Sequence, residues 1–236
     1  MKSKTLYTVI NVVSYVFLLT SSFLVDGSTA FSVEGVEPLI SPAPYAFSIW
    51  GFIYLLFGIW ILKFGFKSTK DDQAYLKVSR FFPIALACSG GSLLVGQPVA
   101  AVLIIASLIS AILMYLSFKH AASPSFFFKL PISVYLGWIS IATIVDISIV
   151  LKSSGLSNLF GLPELFWSVF ILMFAGFIAI YFLAQEREVI YPLVFVWAYI
   201  AIAIENLNNT PIFVTCCGVI LLIGFMLDRV KRMSVS

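Results

Sequence analysis

The chain is organised by long uncharged stretches, and their lengths set the elements they form. A helix crosses a hydrocarbon core of about 30 Å with about 20 apolar residues, every backbone polar group being paired within the segment. Leu6 to Val25 and Pro44 to Leu62 are the first two runs of that length. Phe81 to Phe118 carries no charge at all, and at 1.5 Å per residue it would make a helix about 57 Å long, far more than one span. It must fold back on itself. Gly96-Gln97-Pro98 marks the reversal, because proline lacks a donor and glycine admits a turn, which gives a third and a fourth span. Leu130 to Leu151, interrupted only by Asp146, is the fifth, and Leu165 to Ala184 the sixth. Val189 to Ile204 and Pro211 to Leu227 complete the series. The pattern predicts an all-α, polytopic membrane bundle of eight transmembrane helices.

The placement of lysine and arginine tests this count, because loops on the cytoplasmic side retain positive residues. With the N-terminus inside, the inner segments hold Lys2 and Lys4, then Lys63, Lys67, Lys70, Lys77 and Arg80. Lys119 and Lys129, Arg187, and finally Arg229, Lys231 and Arg232 follow on the same side. Of the 14 bases only Lys152 falls outside, and the first outer loop carries Asp26, Glu34 and Glu37 with no base. The expected location is the cell membrane, with both termini cytoplasmic. Lys2, Lys4, the apolar run and Ser28-Thr29-Ala30 also fit a cleaved secretory signal; the run of about 20 residues exceeds the usual signal core and favours a retained helix.

Composition agrees and removes other classes. The chain has 236 residues, 61% hydrophobic and 11% charged, with a mean hydropathy of +1.06. Soluble domains run near 25% charged, so a soluble core, a disordered chain and a disulfide-built secreted domain are all set aside. The net charge of +3 is accounted for by the inner loops, and no basic cluster is interleaved with aromatics as a nucleic-acid surface requires. The single histidine is His120, and Cys88, Cys216 and Cys217 have no metal-ligand spacing. No metal, no cofactor and no enzymatic activity are expected. Gly90-Gly91 belongs to no phosphate loop and fits close helix approach instead. Asn208-Asn209-Thr210, followed by Pro211, reads as a turn.

Asp146 is the acid lying deepest within a span, and no base lies inside any span to neutralise it. Such residues face a bundle interior or a cavity by default. At about 100° per residue, Tyr135, Trp138, Ala142 and Asp146 line one stripe about 80° wide. On the second run, Trp50, Tyr54 and Phe57 form another aromatic stripe, with Gly51 and Gly58 nearby. Two aromatic walls and one carboxylate suit a flat, largely apolar ligand that carries a hydrogen-bonding or cationic group.

These residues carry a resemblance. Pro42-Ala43-Pro44 followed by Trp50-Gly51-Phe52-Ile53-Tyr54-Leu55-Leu56-Phe57-Gly58 resembles the proline-rich entry and W-G-x-x-Y-x-x-x-G helix of the translocator protein family, also called tryptophan-rich sensory protein (TspO/MBR). Tyr135-Leu136-Gly137-Trp138-Ile139-Ser140-Ile141-Ala142, running to Val145-Asp146, resembles that family's fifth helix. The resemblance covers residues 6 to 151. It implies a five-helix bundle that binds tetrapyrroles, sterols and synthetic aromatic ligands, with roles in sensing, transport or porphyrin breakdown. The chain departs from the pattern in three places. Ala43 splits the paired prolines, Ala87-Cys88-Ser89-Gly90-Gly91-Ser92 replaces a third helix that carries asparagine and tryptophan, and Asp146 replaces an asparagine. A long, divergent, bacterial-type member with extra C-terminal helices fits these features.

The expected organisation is a five-helix core over residues 1–151 and a three-helix segment with a short cytoplasmic tail over residues 152–236. The expected function is that of a membrane receptor or sensor binding a small hydrophobic aromatic molecule between the second and fifth helices. Trp50, Tyr54, Tyr135 and Trp138 would supply stacking faces, and Asp146 a hydrogen bond or a negative charge. The alternative is a secondary transporter, proton-coupled through Asp146. The expected partners are a hydrophobic ligand of porphyrin or sterol type and membrane lipid, with a second copy in a homodimer as the protein partner considered.

Overall fold

The computed structural model describes residues 2–25, 36–119, 124–156 and 158–233. Asp26, Ser28-Thr29-Ala30, Glu34 and His120 lie outside them. Among the described residues the chain is helical, with no β-strand. Helix α1 is Lys2–Leu24, and a 3₁₀ turn Pro44–Ser48 leads into α2, Ile49–Trp60, which ends in a π turn, Ile61–Gly65. There follow α3 (Asp72–Val78), α4 (Phe82–Ser92), α5 (Val99–Lys119), α6 (Phe126–Ser153), α7 (Glu164–Glu186), α8 (Ile190–Glu205) and α9 (Thr210–Met233).

Each of the eight apolar runs falls on a helix, with α6 as the fifth. Six stretches are long and apolar enough to cross a membrane: Ser3–Leu24, Pro44–Gly65, Val99–Lys119, Phe126–Ser153, Glu164–Glu186 and Thr210–Met233. The third and seventh runs form helices shorter than a full span needs, with 11 residues in α4 and, as the run Val189 to Ile204 predicts, 16 in α8. At 1.5 Å per residue they reach about 16 Å and 24 Å. The helix boundaries are set locally. Pro83 sits in the first turn of α4, where its missing N–H costs nothing but ends any helix arriving from before it. Arg187, in the left-handed conformation at φ 52°, separates α7 from α8. The sequence pattern did not reveal α3, whose seven residues bury Ala74, Tyr75 and Val78 within a segment read as a loop.

The helices sort into two compact units. The first comprises Met1–Phe31 and Ser48–Asp146. Within it α4 packs against α1 and α5. A Cβ on Gly90 would stand 2.9 Å from Phe17 Cε1 and 3.2 Å from Leu18 Cα, so glycine is what lets the α1 and α4 backbones approach. One end of this unit gathers polar segments. Lys4 pairs with Asp72 at 2.8 Å and donates to the Lys67 carbonyl at 2.7 Å. Ser125 donates to Asp71 from both N–H and Oγ, at 3.1 and 2.6 Å. The N-terminus, the 63–80 segment and the start of α6, all assigned to one side by their bases, therefore meet at one end. Asn11, inside α1, donates to Tyr75 and Ser79 at 3.0 and 2.8 Å and ties α3 to the bundle.

The second unit comprises Ser32–Phe47 and Ile147–Ser236. Its helices α7, α8 and α9 pack on one another, and a Cβ on Gly176 would stand 2.5 Å from Val219 Cγ1, which brings α7 and α9 close. The segment leading to α2 is strapped onto these helices. Ala43 N–H donates to Ala201 O at 3.2 Å, Trp197 Nε1 to Ala46 O at 3.1 Å, and Asn206 Nδ2 to Leu39 O at 3.0 Å. Lys152, the one base assigned to the outer side, pairs with Glu164 at 3.0 Å and donates to Glu37 O at 2.7 Å. Glu164 in turn accepts from Leu39 N–H at 3.1 Å.

The two adjacent glycines of α4 predict opposite outcomes. Gly90→Ala forces a side chain into the α1 backbone and is expected to lower stability by about 1–3 kcal/mol. Gly91→Ala meets only Leu103 Cδ1, at an ordinary 3.5 Å, and is expected to leave the thermal midpoint unchanged or slightly raised, as glycine is a poorer helix former than alanine. Thermal unfolding of the two variants in detergent checks this pair.

Candidate functional site

The site foreseen in the sequence lies within the first unit, on α2, α6 and the helices around them. Positions four apart on a helix share a face, so Trp50 lies over Tyr54, stacked with centroids 5.6 Å apart. The edge of Trp50 meets Tyr135 of α6 at 6.3 Å, and Phe57, one turn further along α2, meets Tyr135 at 5.2 Å. Phe57 continues to Phe82 at 4.9 Å, and Phe82 stacks on Trp60 at 5.1 Å. The two predicted stripes therefore touch, as one aromatic column between α2 and α6. Tyr135 is fully buried, whereas Trp50 and Tyr54 remain half-buried.

The hydroxyls of this column have partners. Tyr135 Oη lies 2.7 Å from Ser89 Oγ, 2.6 Å from Ser107 Oγ and 3.1 Å from Ala85 O. The serines stand 3.0 Å apart, and Ser107 Oγ also donates to Ala85 O at 3.0 Å. Three hydroxyl groups and one carbonyl thus satisfy each other and join α4, α5 and α6 away from water, where an unmade bond costs most. Tyr135 is a tie between helices as much as a stacking face. Tyr54 Oη pairs with Ser22 Oγ of α1 at 2.6 Å, and Tyr15 Oη donates to Tyr54 O at 2.9 Å. Sequence reasoning did not single out Ser22, Ser89 or Ser107. The available signal was a serine facing the expected bundle at a depth where hydroxyls are costly without a partner.

Trp138 and Asp146 lie on the α6 face that carries Tyr135, and both are buried. Asp146 does not face lipid. Its Oδ1 accepts from Gln97 Nε2 at 3.0 Å, and Gln97 Oε1 accepts from Ala101 N–H at 3.2 Å. The carboxamide that follows Gly96 in the α4–α5 reversal is thus the neutral donor for the acid. Asp146 Oδ2 is buried and has no hydrogen-bond partner among the described residues. A carboxyl oxygen in that state accepts a bond from a donor that reaches it, or takes up a proton itself. Trp50 is brought into contact with both Tyr54 and Tyr135. Trp138 and Asp146 extend the same face, and Asp146 is held by the reversal rather than by the second helix.

If the contact between Gln97 and Asp146 organises this end of the first unit, a double-mutant cycle of Gln97→Ala and Asp146→Ala gives a coupling energy of about 1–3 kcal/mol in unfolding, as for a hydrogen bond to a charged group. Additive effects would show that the two side chains act separately.

The family model described as TSPO-like protein matches residues 4–227. That match runs into α9, well past residue 151, so the C-terminal helices fall inside the family pattern. No curated protein and no solved structure matches the chain. With nearly all of its length covered by the model, this membrane protein belongs to the TSPO-like family.

Proposed function

We propose that this TSPO-like protein is a membrane receptor or sensor that binds a small hydrophobic aromatic molecule, of tetrapyrrole or sterol type, between α2 and α6. The supporting observation is the aromatic column in which half-buried Trp50, stacked on Tyr54, meets fully buried Tyr135. A flat ligand enters by turning Trp50 off Tyr135. An aromatic pair contributes about 0.5–1.5 kcal/mol beyond its buried area, and a ligand ring stacked on the same faces replaces that contact. Trp138 walls the site further along α6, and Asp146 Oδ2 takes a hydrogen bond or a positive charge from the ligand.

The proposal includes the topology of eight membrane-embedded helices, with both termini cytoplasmic. Contacts within each unit support the alternation. Lys4, Asp71, Asp72 and Ser125 join segments assigned to the inner side, whereas Glu37, Lys152 and Glu164 join segments assigned to the outer side. The second reading, a proton-coupled transporter, is favoured by one observation, the buried Asp146 oxygen without a partner. Uptake into proteoliposomes with and without a pH gradient separates the two, since a receptor accumulates nothing.

Equilibrium titration with protoporphyrin IX, cholesterol and an aromatic amine tests the site. Trp50→Ala and Asp146→Asn are each expected to weaken binding of at least one of these about tenfold, the equivalent of about 1.4 kcal/mol. Binding of all three by both variants as by the parent would place the ligand elsewhere. For topology, alkaline phosphatase fused after Gly155 is expected to be active and after Met233 inactive; the reverse pattern, or activity at both positions, contradicts the proposed orientation.

A further inference from the structure

The end of the first unit that gathers the inner bases carries a second arrangement, separate from the aromatic column. The π turn closing the second span ends beside the start of α6, and Lys63 is held where they meet. Its ammonium lies 5.3 Å from the Phe64 ring centroid and 5.0 Å from that of Phe127. Phe64 is buried and packs on Phe128 at 5.0 Å, whereas Phe127 is exposed and touches Phe126 at 5.7 Å. Lys63 has no carboxylate partner among the described residues. Lys67 follows one turn later, and Lys129 lies two residues beyond Phe127.

Large apolar side chains near these bases in the sequence face outward. Leu62, Phe66, Phe126 and Phe127 are 64, 65, 59 and 64% exposed. No soluble surface holds that much apolar area beside unpaired lysines without a reason. At the edge of a bilayer both features have one, because acyl chains cover the rings and head groups meet the ammonium groups. The depth agrees. Lys63 lies 19 residues after Pro44, about 28 Å along a helix, close to the thickness of a hydrocarbon core.

We propose that Lys63 and Lys129, with Phe126 and Phe127, form a binding site for the head group and upper acyl chain of an anionic phospholipid at the inner face of the membrane. The cation–π contacts place the Lys63 ammonium over the rings while its N–H groups stay available for phosphate oxygens. A basic loop that served only to set orientation needs no ordered ammonium and no exposed aromatic pair beside it. The surface is distinct from the candidate site around Trp50 and Tyr135, so its fate does not depend on that proposal.

The test uses the full chain in bilayers of phosphatidylcholine into which brominated phosphatidylglycerol or brominated phosphatidylcholine is titrated, with quenching of tryptophan fluorescence as the readout. The Trp60 ring lies 5.4 Å from that of Phe128, close enough to report lipid at this site. The parent is expected to prefer brominated phosphatidylglycerol about three- to tenfold at low salt, and the preference is expected to fall at high salt. The double variant Lys63→Gln/Lys129→Gln is expected to lose the preference, Lys63→Arg to keep it, and Arg80→Gln, a base elsewhere on the inner side, to retain it. Lys63 and Arg80 are exposed and Lys129 is half-buried, so an unchanged thermal midpoint is expected and verifies that folding is intact. Equal quenching by the two lipids in the parent, or a preference untouched in the double variant, overturns the proposal. A preference lost equally in Arg80→Gln also overturns it, since the effect would then be one of general surface charge.

Discussion

A polar group buried in hydrocarbon has no water to turn to, and the internal order of this protein follows from that constraint. With 61% of its residues hydrophobic, the chain has apolar surface to spare, so hydrophobic burial alone does not select one arrangement of helices. The few buried polar groups do. Tyr135 with Ser89 and Ser107 sets α6 against α4 and α5. Asn11 with Tyr75 and Ser79 sets α3 against α1. Tyr54 with Ser22 sets α2 against α1. Each tie fixes which helix faces meet, and the aromatic rings fill the space between the ties.

The loops obey the same logic with charges. Lys152 is the one base that the sequence pattern assigns to the outer side, and it is engaged by an ion pair with Glu164 and a bond to the Glu37 carbonyl. Ala43 is equally instructive. It splits the paired prolines expected of the family, and its N–H is the donor that reaches the Ala201 carbonyl. A proline at that position has no N–H to give. The departure is therefore the residue that docks the segment ahead of α2 onto α8 within the second unit, and the family model's match through residue 227 agrees with a C-terminal part that is integral to the pattern.

Much of this was legible in the sequence, and the reasons are particular. Apolar runs predicted where helices form, since burial in a membrane leaves little else for 20 apolar residues to do. The stripe of Tyr135, Trp138 and Asp146 was legible because helical periodicity is rigid, and the structure places all three inside. The length of α4 was less legible, whereas the 16 residues of α8 match the run Val189 to Ile204. Hydropathy does not register that Pro83 opens one helix and that Arg187 closes another. The partner of Asp146 was hidden for a different reason. Gln97 stood in view as part of a turn, but its carboxamide is brought to the acid only by the way α4 and α5 fold back, a relation between residues 49 positions apart. Short serines such as Ser89 and Ser107 gave no pattern of their own, because a single hydroxyl is cheap to carry and acquires meaning only when Tyr135 arrives beside it.

The central claim is that α6 turns its aromatic and acidic face into the bundle and Ile147 toward lipid. Nitroxide labels at Thr143, Asp146, Ile147 and Ile149 of a variant lacking Cys88, Cys216 and Cys217, reconstituted in bilayers, measure this directly through their collision rates with oxygen. The account predicts a maximum at position 147, the exposed residue of the four, and low rates at 143, 146 and 149, which are buried. A maximum at position 146 would contradict it, because the carboxylate would then face lipid and the site built around it would not exist.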